Sequence, residues 1–88
     1  MTSNPTLLAQ SIAAVLNEAI KQDRRSQRDV SERSGIPLVT LNRKLLGRRP
    51  FTVLELASIC DVLHLTVTDV VLRAERGAPA APAEAGAA

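Results

Sequence analysis

Apolar residues recur at helical spacing along most of the chain, and no stretch alternates apolar and polar residues in the manner of a half-buried strand. Five such apolar stretches lie between residues 5 and 76, separated by short segments that carry helix start and stop signals. The pattern therefore predicts an all-α fold of five helices with short connections.

The first predicted helix begins at Pro5, with Asn4 as its N-cap residue. Proline suits the first helical position because the amide hydrogen that it lacks would find no partner there. One apolar stripe follows, and we expect the helix to end at or near Asp23. The stripe consists of Leu8, Ile12, Val15, Leu16 and Ala19.

Two short helices on either side of a glycine come next. Ser26 and Asp29 form a Ser-x-x-Asp version of the capping box, which places the start of the second helix there. Gly35 ends this helix because glycine adopts the left-handed backbone conformation at little steric cost. A proline restarts the chain, and the third predicted helix runs over residues 37–46. Two short helices joined by a tight turn that contains glycine form a helix-turn-helix.

Capping signals also mark the two remaining helices. Thr52 and Glu55 form a complete Thr-x-x-Glu capping box, and Thr66 opens a further segment of similar type. The predicted inner face of the fourth helix consists of Val53, Leu56, Ala57, Cys60 and Leu63. The predicted inner face of the fifth helix consists of Val67, Val70, Val71 and Ala74.

The length of 88 residues leaves room for one core, and an aromatic content of 1% means that aliphatic side chains must fill it. We expect one domain over residues 1–76. Residues 77–88 contain only Gly, Ala, Pro and one Glu, so we expect a disordered tail there.

Side chains with catalytic or metal-binding chemistry are sparse. Cys60 is the single cysteine, so no intramolecular disulfide is available, and we expect a buried, unreactive thiol. His64 is the single histidine and has no second ligand or acid at a useful spacing. No catalytic triad, carboxylate pair or phosphate-binding glycine loop can be assembled, so we expect no enzymatic activity, no metal, no cofactor and no small-molecule substrate. No uncharged apolar run approaches the roughly 20 residues that span a bilayer, and we expect a cytoplasmic protein at the nucleoid.

The net charge of +2 is unevenly distributed. Between Lys21 and Arg49 nine basic residues face three acidic ones, a surplus of six positive charges, whereas the rest of the chain has a surplus of four negative charges. A basic segment in an acidic body is expected where one face meets a polyanion. A solvated basic face is the alternative.

A helical wheel of the third helix identifies the residues that can reach such a polyanion. If Leu41 and Leu45 point inward, Val39 and Arg43 point outward, and Leu46 shares their side. The shoulders of this stripe are Thr40 and Asn42, and Leu38 lies nearer the core edge. An α-helix fits the DNA major groove, where Arg can bind guanine, Asn can bind adenine and an apolar side chain can contact the thymine methyl. Candidates for phosphate contact are Gln27, Arg28, Lys44, Arg48 and Arg49.

Residues 26–47 resemble the helix-turn-helix of the Cro and lambda-repressor family of bacterial and phage regulators. The features that carry the resemblance are Gln27, the small Ser31, Gly35, the aliphatic Leu41 and Gly47. The resemblance continues into a fifth helix and covers about four-fifths of the chain. It implies a five-helix DNA-binding domain whose third helix reads operator bases, with Leu38, Val39, Asn42 and Arg43 facing the DNA groove, Gln27 as a phosphate or base contact, and Arg48 with Arg49 as a backbone clamp. The helical wheel adds Thr40 to the candidate base contacts. The sequence departs from the family at Leu38 and Val39, where polar base readers are common, and at His64, where many members have glycine.

The leading interpretation is a sequence-specific repressor of transcription that binds double-stranded DNA, and a phage immunity repressor fits the size. A homodimer, formed through the fifth helix or on DNA, and a monomer on a half-site are both open. Two other classes remain as alternatives: an antitoxin that binds its own promoter and a toxin partner, and a protein-interaction module on the same fold.

Overall fold

The computed structural model describes residues 5–76, which form five α-helices and no strand. The helices are α1 (Pro5–Gln22), α2 (Gln27–Ser34), α3 (Leu38–Leu45), α4 (Val53–Leu63) and α5 (Val67–Glu75). The predicted all-α, five-helix fold is confirmed. The expected N-cap Asn4 and the expected tail at 77–88 lie outside the described residues.

All five helices contribute to one aliphatic core. Each supplies at least one residue with no exposed surface, and these are Leu16, Val30, Leu41, Ile59, Val70 and Ala74. α1 packs against α3 and α5, while α2 packs against α3 and α4. The helix-turn-helix formed by α2 and α3 is thus held by α1 on one side and α4 on the other.

The third helix is one residue shorter at each end than predicted. Pro37 is its N-cap, with an extended ψ of 140°, and Leu46 is its C-cap, with φ −78° and ψ −3°. Both residues belong to the turns of the chain around α3, so the range 37–46 was too generous.

The inner face of α4 also differs from the prediction. Val53 is 79% exposed and Ala57 is exposed, whereas Ile59, which the predicted set omitted, is fully buried. The buried stripe runs through Leu56, Ile59, Cys60 and Leu63. On a helical wheel Val53 lies about 70° from the centre of this stripe and Ala57 about 110°, so both turn away from the core.

The predicted capping residues act as N-caps, although the first box is only half formed. The Ser26 side chain accepts a hydrogen bond from the Asp29 amide at 3.0 Å, but the Asp29 carboxylate pairs with Arg25 and Arg33 instead of the N-cap backbone. The Thr52 and Glu55 box is complete in both directions. These local contacts set where α2 and α4 begin.

Candidate nucleic-acid interface

The orientation of α3 agrees with the helical wheel. Leu41 and Leu45 are buried, at 0% and 3% exposure, while Val39 and Leu46 are 67% and 60% exposed. The side chain of Arg43 is exposed between them along the helix. α3 therefore presents an open face that combines aliphatic and basic side chains.

This face and the start of α2 line an open groove of about 490 Å³. Its lining residues are Gln27, Arg28, Leu38, Val39, Asn42, Arg43, Leu46 and Arg48. Seven of the ten predicted contact residues are thus brought together, although the sequence spreads them over two helices and a loop. Leu46 belongs to the groove as well; the wheel had placed it on the exposed stripe, but it was not among the predicted base contacts.

The other three predicted residues lie on the opposite flank of α3. Thr40, Lys44 and Arg49 line a smaller depression of about 210 Å³ together with Arg43. Arg43 borders both surfaces, so it lies at the ridge of the helix. The predicted set therefore lies on two flanks of α3 rather than in one pocket.

Lys44 is engaged within the protein. Its Nζ donates to Glu55 Oε1 at 2.5 Å, and only 13% of its side chain is exposed. The same carboxylate oxygen accepts the Thr52 amide at 2.9 Å. These hydrogen bonds, that from Lys44 first, lower the pKa of Glu55. The Lys44 ammonium thus ties α3 to the capping box of α4.

A hydrogen bond joins the two helices of the motif inside the groove. Asn42 Nδ2 donates to Gln27 Oε1 at 3.0 Å. Gln27 Nε2 and Asn42 Oδ1 have no hydrogen-bond partner within residues 5–76. The pair therefore retains the Gln27 Nε2 hydrogens, one Asn42 Nδ2 hydrogen and the Asn42 Oδ1 acceptor for a ligand.

Two polar contacts fix α3 on its supports. Asn17 Nδ2 on α1 donates to the Leu45 carbonyl oxygen at 2.8 Å, at the end of α3. Ser31 Oγ on α2 donates to the Ile36 carbonyl oxygen at 2.5 Å, across the turn that precedes α3. Neither contact is predictable from the sequence, because each joins residues that are distant in the chain or share no motif.

The basic residues of the segment divide into two groups. Arg25, Arg33 and Lys44 are paired with carboxylates. In the described part of the chain the remaining six have no ion-pair partner, and they are Lys21, Arg24, Arg28, Arg43, Arg48 and Arg49. Three of these line the main groove. The positive charge of the groove is therefore left uncompensated.

Other chemistry is sparse in the part of the chain that the structure describes. Within residues 5–76 there is no group of three or more His, Cys, Asp or Glu side chains that could hold a metal ion. No helix there is long and apolar enough to span a bilayer. Cys60 is buried as predicted, and burial, followed by the charge of Asp69, raises the pKa of its thiol.

Comparison with known proteins gives one informative similarity. No family model matches the chain, and no curated protein sequence does. The chain is similar to the crystal structure of the clp gene regulator ClgR from Corynebacterium glutamicum, with a TM-score of 0.77 and 27% identity over 81% of this chain and 76% of that one. The similarity supports the helix-turn-helix fold. Assignment to the Cro and lambda-repressor family stays a prediction.

Proposed function

We propose that this protein is a DNA-binding transcriptional regulator that represses its target by occupying an operator, with α3 in the major groove. The observation that carries the proposal is the open groove of α2 and α3, in which aliphatic side chains lie beside three uncompensated arginines. An arginine-lined surface suits a polyanion, and an exposed helix suits the major groove. The similarity to ClgR supports the proposal because that protein is a gene regulator.

Phosphate contacts supply most of the affinity in this proposal. Arg28 at the start of α2 and Arg48 in the loop after α3 line the groove, and Arg49 lines the smaller depression on the other flank of α3. Gln27 Nε2 at the N-terminus of α2 adds a neutral donor. Lys44 is left out of this set, because its ammonium is held by Glu55.

Base contacts supply discrimination. Arg43 at the ridge of α3 is the candidate for bidentate binding of guanine, and Asn42 beside it offers an amide to adenine. Leu38 and Val39 add apolar surface to the groove that α2 and α3 form in the protein. Thr40 lies on the other flank of α3. The result is a short reading surface with few polar contacts.

A second copy of the chain is the proposed partner on DNA. α5 carries a shallow depression of about 320 Å³ lined by Val67, Thr68, Val71, Leu72 and Glu75. Leu72 is 42% exposed there. Pairing of two chains through α5 would give two reading helices for a palindromic operator, whose half-sites lie about one helical turn apart. An immunity repressor of a phage is the finer form of this proposal.

The test is selection of bound sequences from a random DNA pool, followed by gel shifts of selected and scrambled duplexes across a salt series. The proposal expects a defined site, tighter binding to it than to scrambled DNA, and affinity that falls linearly on a log–log plot against salt. Weak binding without sequence preference would refute it and favour the protein-interaction module. Copurification of a second protein that binds this chain, from the native host, would favour the antitoxin.

A further inference from the structure

The reading face of α3 has an unusual apolar centre. Val39 and Leu46 are 67% and 60% exposed, and Leu38 lies beside them in the groove. α3 already supplies Leu41 and Leu45 to the core. The outer aliphatic side chains therefore do not belong to the core, and they stand at the surface where a polar residue would be better solvated.

The surroundings of these side chains indicate what covers them. Arg28, Arg43 and Arg48 line the same groove, and none has an ion-pair partner within the described residues. An apolar partner protein would have to desolvate these arginines, which is costly. A polyanion with apolar groups on its surface can contact both the arginines and the aliphatic side chains that line the groove. In the major groove of DNA, the apolar group on offer is the 5-methyl of thymine, and 5-methylcytosine carries the same group at the same position.

We propose that Val39 and Leu46 read the 5-methyl groups of two pyrimidines, one on each side of the base contacted by Arg43. This inference rests on the proposed function, and it specifies the base chemistry that the DNA site must contain.

The helix geometry fixes the spacing of the two methyl groups. Val39 and Leu46 are seven residues apart, so they lie about 10.5 Å apart along the axis and within about 20° of each other around it. Arg43 lies between them, about 40° from Val39. Because the major groove runs obliquely, successive base pairs are spaced further apart along it than the axial rise of about 3.4 Å, so the two contacts fall two to three base pairs apart when the helix follows the groove.

Asn42, a polar residue that lines the same groove, does not replace the methyl contacts of Val39 and Leu46. Asn42 Nδ2 already donates to Gln27, so one of its two amide hydrogens is committed within the protein. Arg43 then has more free donors than Asn42, and the aliphatic pair adds discrimination to what these two polar residues supply.

The test replaces thymine by deoxyuridine, one position at a time, in the duplex obtained by selection. This change removes the 5-methyl group and leaves base pairing intact. We expect two positions, two to three base pairs apart, at which affinity falls about three- to fivefold, the factor expected for loss of one buried methyl group. Equal affinity for thymine and deoxyuridine at every position would overturn the inference.

Variants assign each methyl group to its reader. Val39→Ala should bring the ratio of the affinities for the thymine and deoxyuridine duplexes close to one at a single position. Leu46→Ala should do the same at the other position. Val53→Ala is the matched control, because Val53 is 79% exposed but lies outside the groove. Its ratios should equal those of the unaltered chain. The inference is wrong if Val39→Ala keeps the full ratio at both positions while its melting temperature is unchanged.

A further experiment distinguishes thymine from 5-methylcytosine as the source of the methyl group. Selection is repeated with a pool in which every cytosine is 5-methylated. Recovery of the same thymines identifies thymine as the source, and recovery of tighter sites with 5-methylcytosine at the two positions identifies the modified base. Failure of the proposed function is recognised separately, because selection would then yield no defined site in either pool.

Discussion

Asn42 on α3 donates from its side-chain amide to the side-chain oxygen of Gln27 on α2, with 3.0 Å between Nδ2 and Oε1. The bond joins a candidate base reader to a candidate phosphate contact. It also fixes which atoms of each amide remain for DNA. The orientation of the proposed reading surface therefore depends on both helices of the motif and not on α3 alone.

Loss of either partner should release the other. We expect Gln27→Ala and Asn42→Ala each to weaken binding to the selected site, and the double variant to lose less than the sum of the two. The coupling should be about 1 kcal/mol, since the residues are in direct contact. Titration of all four proteins against one duplex measures it. Strict additivity would show that the hydrogen bond does not persist on DNA. Gln22→Ala on α1, outside the groove, is the control.

Loss of Arg43 should affect DNA binding differently from loss of the loop arginines Arg48 and Arg49. Arg43→Ala is expected to weaken binding to the selected site by about 1 to 3 kcal/mol and to scrambled DNA much less, because it removes a base contact. Arg48→Ala and Arg49→Ala should weaken both about equally and reduce the salt slope by roughly 0.9 each. Gel shifts at several salt concentrations separate the two patterns.

The control for these arginine variants is Arg76→Ala, which removes one positive charge beyond the end of α5 and outside the groove. It should leave the salt slope nearly unchanged. An equal effect of Arg43→Ala on selected and scrambled DNA would contradict the assignment of Arg43 to a base.

Local signals in the sequence predicted the helices well, because caps and turns depend on residues three or four positions apart. Ser26 and Thr52 act as N-caps where expected, and Gly35 takes the left-handed conformation with φ of 81°. Pro37, however, lies before α3 rather than in it, because its ψ is extended. Whether a residue is the N-cap or the first residue of a helix depends on its backbone dihedral angles, which residue type alone does not specify.

The site was predictable in its position but not in its contacts. Periodicity placed Leu41 inward and Arg43 outward, as the structure shows. It did not reveal that Lys44 pairs with Glu55, or that Asn17 reaches Leu45. Those pairs are separated by 11 and 28 residues, and only the packing of helices brings them together.

Asn17 should be important for stability although it does not line the groove of α2 and α3. The last carbonyls of a helix lack intrahelical partners, and Asn17 Nδ2 satisfies that of Leu45. Asn17→Ala is expected to lower the free energy of unfolding by about 1 to 2 kcal/mol, because the part-buried carbonyl loses its donor. Asn17→Asp should lower it further, since a carboxylate oxygen would face the carbonyl oxygen. Urea unfolding measures both, and wild-type stability in both variants would contradict the prediction.

The ion pair of Lys44 and Glu55 should make stability sensitive to acid. The pKa of Glu55 is lowered from its ordinary value of 4.5, so its contribution is present above that pH and is lost as the pH falls through the lowered pKa. In Glu55→Gln the side-chain oxygen still accepts the Thr52 amide, and only the charge on Lys44 loses its partner. We expect this variant to be about 1 kcal/mol less stable at neutral pH and equal to the unaltered chain in acid.

Urea midpoints between pH 3 and 7 test the expected convergence. Glu32→Gln on α2 is the matched control, because Glu32 is exposed and has no ion-pair partner within residues 5–76. A stability difference for Glu55→Gln that stays constant over this range would exclude the charge as its cause.

His64 ends α4 in a conformation that favours glycine, with φ of 60° and ψ of 38°. Left-handed backbone costs a residue with a side chain roughly 1 to 2 kcal/mol, and part of the gain from glycine is offset by its greater freedom when unfolded. We therefore expect His64→Gly to raise the free energy of unfolding by about 0.5 to 1 kcal/mol, and His64→Val to lower it, since β-branched residues fit this region poorly. Gly35→Ala is the reciprocal comparison: φ is 81° and a Cβ would meet nothing within 4 Å, so its cost is backbone strain alone. A loss of stability in His64→Gly would mean that the imidazole makes a stabilising contribution larger than the strain it imposes.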